Sequence, residues 1–139
     1  MTMDTNHTLK VFAGRNSRAL AERACDHIGQ PIGEARTHIF PDGELLVKLE
    51  EDVRGRDCFV VISTCSPVND NLMELLIIAD ALKRSLAHRV TPVIPYFGYS
   101  RHDRRTAART PIPSNPVATH LAQAGLHPVL AGALPGVSK

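Results

Sequence analysis

Short apolar runs typical of strands alternate along this chain with longer segments of helical periodicity. Leu9–Ala13 is the first apolar run, which predicts a strand. Ser17 belongs to a residue type that favours helix N-termini, and Gly29 to the type that ends helices. Between them, apolar residues recur at a spacing of four: Leu20, Ala24 and Ile28. The pattern predicts a helix with these residues on one face, ending at Gly29.

A hairpin is predicted next. Arg36–Phe40 and Leu45–Leu49 have strand character, and Pro41–Glu44 between them contains an Asp-Gly pair. Asp-Gly favours the positive backbone angles of tight turns. We therefore expect a small hairpin with charged residues at its tip.

The middle of the chain predicts a buried strand followed by a long helix. Asp57–Ser63 is rich in Val, Ile and Phe, which is typical of a strand covered on both faces. Asn69 or Asp70 can begin a helix that continues through Leu86. Its expected apolar face consists of Leu72, Leu75, Leu76, Ala79 and Leu82.

The remaining elements indicate the fold class. Arg89–Pro95 predicts another buried strand, Tyr96–Pro113 a polar loop, Val117–Ala124 a short helix and His127–Ala131 a last strand. Strands that alternate with helices predict an α/β fold, with a mainly parallel sheet flanked by helices. Because such sheets bind ligands beyond the carboxyl ends of their strands, the loop from Tyr96 is well placed for a site.

Composition excludes several classes of protein. The 139 residues, 43% hydrophobic and 22% charged, fit one soluble globular domain, which we expect over residues 9–139 after a disordered tail at residues 1–8. A formal net charge of +2 does not favour a nucleic-acid partner, and the sequence has no apolar run long enough for a membrane span. Three cysteines without a CxxC pair predict reduced thiols and a cytoplasmic location, with Cys58 in the core. The seven histidines form no motif with metal-ligand spacing.

Three segments could carry chemistry, and each has a structural alternative. Phe40–Glu44 offers an aromatic face and carboxylates for a base and a sugar, or is a plain turn. Tyr99–Arg105 offers guanidinium groups that match phosphate oxygens, or is a solvated loop. Ser63–Leu75 is explained by a strand end and a helix cap, and no His pairs with Cys65 to make it a nucleophile.

The order of these segments resembles the ribose-phosphate pyrophosphokinase (phosphoribosyl pyrophosphate synthetase) family, over about Leu9 to Leu130. The matching motifs are Phe40–Glu44, Val53–Gly55, Ser63–Leu76, Asp80–Arg84 and Val93–Arg104. The resemblance implies a phosphoribosyltransferase-like fold with a flag-like hairpin, and the amino-terminal, ATP-binding half of the enzyme. It also implies magnesium-dependent transfer of the β,γ-diphosphoryl group of ATP to ribose 5-phosphate, in nucleotide biosynthesis.

The resemblance assigns two groups of ATP-binding residues. Phe40, Asp42, Gly43 and Glu44 would hold adenine and ribose, mainly for a neighbouring subunit of an oligomer. A second group, formed by Arg101, His102 and Asp103, would lie along the nucleotide and its phosphates. It assigns no catalytic residue and no metal ligand to this chain.

Departures from the family pattern lead to further expectations. His102 replaces the usual Gln, and Ala133–Pro135 stands where the family has an Asp-Leu-His segment whose His helps to bind magnesium. The ribose 5-phosphate loop of the family is also missing, so we expect a truncated domain, incomplete at its C-terminal end and inactive alone. The alternative is a non-catalytic regulatory subunit that assembles with a full-length synthetase.

Overall fold

The computed structural model describes residues 9–100 and 114–130. The tail predicted at residues 1–8, most of the polar loop, and residues 131–139 lie outside these ranges. Six strands and three helices make up the described part: β1 (Leu9–Ala13), α1 (Arg18–Ile28), β2 (Ala35–Ile39), β3 (Leu45–Leu49), β4 (Asp57–Val61), α2 (Val68–Arg84), β5 (Arg89–Ile94), α3 (Ser114–Gln123) and β6 (Val129–Leu130). Strands and helices alternate as the sequence predicts, which confirms the α/β class.

A parallel sheet with the order β1-β4-β5-β6 forms the centre of the fold, and β2 and β3 form a separate antiparallel hairpin. The strands of the parallel sheet are covered on both faces, so they consist largely of apolar residues. The larger core cluster joins the sheet to α2, with Phe12, Val60, Ile62, Leu75 and Ile94 all at most 1% exposed. Cys58 lies in this cluster, as predicted.

The second, smaller core cluster corrects the predicted face of α1. Ala21 and Cys25 are buried there, whereas Leu20 and Ile28 are 47% and 48% exposed. The side of α1 that packs in this cluster therefore carries small side chains, and the larger apolar residues lie outside it. The predicted end of α1 is confirmed, since Gly29 takes the left-handed conformation with φ 69°.

The start of α2 also differs from the prediction. The N-cap is Pro67, not Asn69 or Asp70, and no side chain caps the helix. The amide of Asn71 instead donates to the carbonyl of Cys65, 2.9 Å away, and fixes the chain just before the helix. The buried face of α2 includes Leu75, Ala79 and Leu82 as predicted, but also Glu74, which has no exposed surface.

The outer edge of β1 is occupied by the chain that follows α1. Val11 makes an isolated parallel bridge with Ile32, and its carbonyl accepts the Gly33 N–H at 2.6 Å. Gly33 has no room for a side chain, because a Cβ there would lie 2.5 Å from the Phe12 ring. Glycine therefore lets this segment lie flat against the edge of the sheet.

Candidate functional site

The carboxyl ends of β1 and β4 are tied together by polar side chains. The Ser17 hydroxyl accepts the backbone N–H of Ser63 at 3.0 Å, and the Asn16 amide donates to the Ser63 carbonyl at 2.7 Å. Ser17 is the N-cap residue of α1, as predicted, but its side chain makes no capping bond. Its hydroxyl therefore joins two strand ends instead of stabilising the helix.

The loop after β5 is held at the same edge by Thr64. Its hydroxyl accepts the Gly98 N–H at 2.7 Å, and its backbone N–H donates to the Tyr96 carbonyl at 2.9 Å. Gly98 approaches so closely that a Cβ would lie 2.3 Å from the Thr64 carbonyl oxygen. The Tyr99 hydroxyl donates to the side-chain oxygen of Asn69 in α2. These contacts fix the chain as far as Ser100.

A buried ion pair links the loop after β1 to α2. Glu74 has a fully buried side chain, and its carboxylate accepts the Arg15 N–H at 2.9 Å and the Arg15 Nε–H at 3.0 Å. The Arg15 side chain is 41% exposed, so the pair runs from the interior to the surface. The periodicity of the sequence did not predict this pair. A carboxylate such as Glu74 on the apolar face of a helix nevertheless indicates that a partner for its charge lies nearby.

A cleft of about 700 Å³ opens in front of this ion pair. Four parts of the chain line it: the hairpin, the loop after β1, the segment just before α2 and the first turns of α2. Ile39, Leu45 and Met73 supply apolar wall, whereas Arg15, Glu44 and Asp70 place charged groups around it. The cleft can therefore accept a ligand with both apolar and hydrogen-bonding surfaces.

The hairpin tip has the tight turn that Asp-Gly predicts. The Phe40 N–H donates to the Glu44 carbonyl at 2.8 Å, and Gly43 takes a φ of 94° that favours glycine. A carboxylate oxygen of Asp42 accepts the Glu44 N–H at 3.0 Å, which stabilises the turn. The tip is thus a defined structure that holds four of the candidate residues within one turn.

The turn places these candidate residues in different surroundings. Gly43 and Glu44 line the cleft, whereas Phe40 is 40% exposed and contacts the ring of His38. Phe40 is thus not among the residues that line this cleft. The other three candidates, Arg101, His102 and Asp103, lie outside the described residues, directly after Ser100.

The cysteines differ in their surroundings. Burial raises the pKa of the Cys58 thiol to about 11, and the Asp57 carboxylate adds to the rise. Burial also raises the pKa of the Cys25 thiol, with smaller effects from Asp26 and Glu22. Cys65 is half-buried beside the cleft, where its Sγ lies 3.7 Å from the Asn16 amide nitrogen. Both buried thiols are therefore protonated at neutral pH, which fits a role in packing.

Within residues 9–100 and 114–130, the structure groups no three His, Cys, Asp or Glu side chains as a metal site. These residues therefore provide no ready-made set of three protein ligands for a magnesium ion. No helix in the same ranges is long and apolar enough to cross a membrane.

Known proteins similar to this chain identify its family. The family model for the N-terminal domain of ribose phosphate pyrophosphokinase matches residues 9–125. Ribose-phosphate pyrophosphokinases from Rhizobium meliloti (strain 1021) and Clostridium tetani (strain Massachusetts / E88) are 50% and 52% identical to it over 122 and 123 residues. Each match covers 88% of this chain, and this chain spans 39% and 38% of those relatives' length.

A solved structure agrees with the sequence matches. Phosphoribosylpyrophosphate synthetase from Mycobacterium smegmatis superposes with a TM-score of 0.84 and 38% identity, over 88% of this chain and 42% of that one. This match confirms the predicted α/β, phosphoribosyltransferase-like fold. The chain belongs to the ribose-phosphate pyrophosphokinase family, whose N-terminal domain it contains.

Proposed function

We propose that this chain is the ATP-binding half of a ribose-phosphate pyrophosphokinase, the enzyme that makes phosphoribosyl pyrophosphate and AMP from ATP and ribose 5-phosphate. The observation that carries the proposal is the hairpin tip. It holds an exposed aromatic ring and two carboxylates in one hydrogen-bonded turn, within a domain whose family is known. Phe40 stacks on adenine, and Asp42 and Glu44 accept hydrogen bonds from amino or hydroxyl groups of the nucleoside.

The phosphates of ATP are assigned to the segment after Ser100. Arg101 binds phosphate oxygens through its planar guanidinium, and His102 and Asp103 contact the nucleotide beside it. Support comes from the chain just before this segment, where the Thr64 hydroxyl holds Gly98 at the carboxyl edge of the sheet. Parallel sheets bind ligands at this edge.

Two features support association with a second chain, either another copy or a full-length relative. Phe40 is 40% exposed on the outer side of the hairpin, so a base stacked on its ring would be open to contact with a second chain. Leu20 and Ile28 on α1 and Met73 on α2 are also about half exposed. Apolar surface of this kind favours association. The same features support the second candidate function, a non-catalytic subunit that assembles with a full-length synthetase.

We expect the chain alone to form no phosphoribosyl pyrophosphate. It spans less than half the length of the relatives that it matches, and its described residues include no group of three metal-ligating side chains. An AMP-release assay with ATP, magnesium and ribose 5-phosphate tests this, with and without a full-length homologue. AMP release by the chain alone that depends on ribose 5-phosphate would contradict it. A change in the homologue's rate on mixing would favour the regulatory subunit.

Calorimetric titration with ATP and adenosine tests the binding assignments. Arg101→Ala should weaken ATP much more than adenosine, because adenosine lacks phosphates. Phe40→Ala should weaken both, by the ~1–3 kcal/mol that base stacking contributes. Arg18→Ala, on the exposed side of α1, is the matched control and should change neither affinity. Equal losses of ATP and adenosine in Arg101→Ala would exclude the phosphate role.

A further inference from the structure

The two faces of the hairpin have different surroundings. Ala35, Val47 and Leu49 point inward and pack against the core cluster that includes α2. The outward side chains alternate with them along the two strands and define the outer face: Arg36, His38, Phe40, Leu46 and Lys48. Leu46 and Phe40 are 52% and 40% exposed, so this face places apolar surface in solvent.

His38 and Phe40 are in contact on the outer face. Their ring centroids are 4.9 Å apart and their planes are inclined by 86°, an edge-to-face arrangement. This distance lies within the favourable range for aromatic pairs, because the positive edge of one ring meets the negative face of the other. Leu46 stands directly opposite His38 in the register of the two strands. The three side chains therefore form one continuous apolar and aromatic surface.

We propose that His38 is a positioning residue for nucleoside binding, because it holds the Phe40 ring in the orientation in which the ring stacks on a base. The inference rests on the proposed binding of adenine by Phe40. An exposed phenylalanine at the end of a strand rotates between several side-chain conformations, and a ligand that stacks on it must stop this motion. The perpendicular His38 ring reduces that cost and covers at most one face of Phe40. The other face is left for the base, and Leu46 extends the surface beside it.

A double-mutant cycle tests the proposal, with adenosine as the probe and the full chain at a concentration where it is associated. His38→Ala should weaken adenosine about two- to tenfold, the cost expected for immobilising one side chain on binding. His38→Phe keeps a ring at the same position and should restore the affinity. In the Phe40→Ala background, His38→Ala should have no further effect, because its only route to the ligand is the Phe40 ring.

Arg36→Ala is the matched control, since Arg36 lies on the same strand and the same face, two residues from His38. It should leave adenosine affinity unchanged, and all the variants should remain folded with only small shifts in melting temperature, because these side chains are largely exposed. A full His38→Ala effect in the Phe40→Ala background would overturn the inference, as would a failure of His38→Phe to restore binding. If Phe40→Ala weakens adenosine but His38→Ala does not, only the inference is wrong. If Phe40→Ala has no effect, or the chain does not bind adenosine, the proposed function and the inference both fail.

Discussion

The parallel sheet and the hairpin are both built from five- or six-residue strands, apart from β6, yet they are stabilised differently. In the sheet, Phe12, Val60 and Ile94 are at most 1% exposed, because helices and loops cover both faces. In the hairpin, partly buried residues alternate with exposed ones, except that Ile39 at the end of β2 is also exposed. One face of the hairpin is thus sufficient to attach it to the core. The other face is left exposed and carries His38, Phe40 and Leu46.

The largest expected difference between the two regions concerns leucines. Leu75 is fully buried in α2 against the sheet, whereas Leu46 is 52% exposed on the hairpin. Leu75→Ala should lower the free energy of unfolding by about 2–5 kcal/mol, because it removes buried methyl groups and leaves a cavity. Leu46→Ala should change it by less than about 0.5 kcal/mol. Urea denaturation of both variants measures the difference. Equal losses would mean that the outer face of the hairpin is packed in solution.

A second comparison uses two arginines paired with glutamates. Arg15 binds the fully buried Glu74 with its backbone and side chain, whereas the Arg36 Nε lies 3.7 Å from Glu50 on the exposed hairpin. Arg15→Ala should cost about 1–3 kcal/mol of stability, because it leaves a buried carboxylate with one hydrogen bond fewer. Arg36→Ala should cost at most about 0.5 kcal/mol. Thermal unfolding of both variants at low and high salt provides the check. If high salt strongly reduced the stability lost in Arg15→Ala but not the stability lost in Arg36→Ala, the result would argue against burial of the pair of Arg15 and Glu74.

Two glycines sharpen the comparison further. A Cβ at Gly98 would meet the Thr64 carbonyl oxygen at 2.3 Å, whereas at Gly43 it would meet no atom within 4 Å but requires a φ of 94°. Gly98→Ala should cost about 1–3 kcal/mol, because backbone must move. Gly43→Ala should cost about 1 kcal/mol, through conformational strain at the tip. Only Gly98→Ala should also change amide-exchange protection at the carboxyl edge of the sheet. Unchanged exchange there would show that the Thr64 contact is dispensable.

The smallest effect on stability is expected at Glu51, where the chain after the hairpin contacts β1 of the sheet. The Glu51 carboxylate lies 2.7 Å from the Lys10 ammonium of β1 and accepts the Glu34 N–H at 2.7 Å. Burial opposes ionisation of Glu51, but these hydrogen bonds outweigh it and lower its pKa below the usual 4.5. A carboxyl group with a lowered pKa in the folded state stabilises the fold above its usual pKa, and this contribution is lost as the pH falls through the lowered value.

Glu51→Gln should therefore cost about 1 kcal/mol at pH 7 and less as the pH falls below 4.5. Urea denaturation from pH 7 to pH 3 measures this convergence with the unsubstituted chain. Glu22→Gln is the control, because Glu22 makes only an exposed pair within α1. If the difference in the free energy of unfolding between Glu51→Gln and the unsubstituted chain stayed constant across this range, the lowered pKa of Glu51 would be contradicted.

The sequence predicts strands and turns well where residues close together in the chain determine them. Leu9–Ala13 and Leu45–Leu49 have the predicted bounds, and the Asp-Gly turn between β2 and β3 is confirmed. The buried face of α1 could not be predicted in the same way. Apolar residues occupy two adjacent stripes of that helix, and the periodicity alone does not show that the stripe with Ala21 and Cys25 is the buried one.

The candidate site could be predicted only in part. The hairpin tip is local in sequence, so its turn and its charged residues were visible in the motif Phe40–Glu44. The pair of Arg15 and Glu74 joins residues 59 positions apart, and no local pattern specifies which arginine reaches a buried carboxylate. The contact between His38 and Phe40 needed the strand pairing to show that both rings share a face. The roles of Arg101, His102 and Asp103 stay predictions.

The segment that lies along β1 has a consequence for the solubility of the fold. An exposed edge strand offers unpaired backbone groups to any other chain in an extended conformation, and this is a common route to aggregation. Here the Val11 carbonyl is already bonded to Gly33, and the Ile32 bridge lies beside it. An intruding strand would first have to displace this segment. A side chain at Gly33 would push the segment away from the Phe12 ring, so a single methyl group there would open this edge of the sheet to intermolecular pairing.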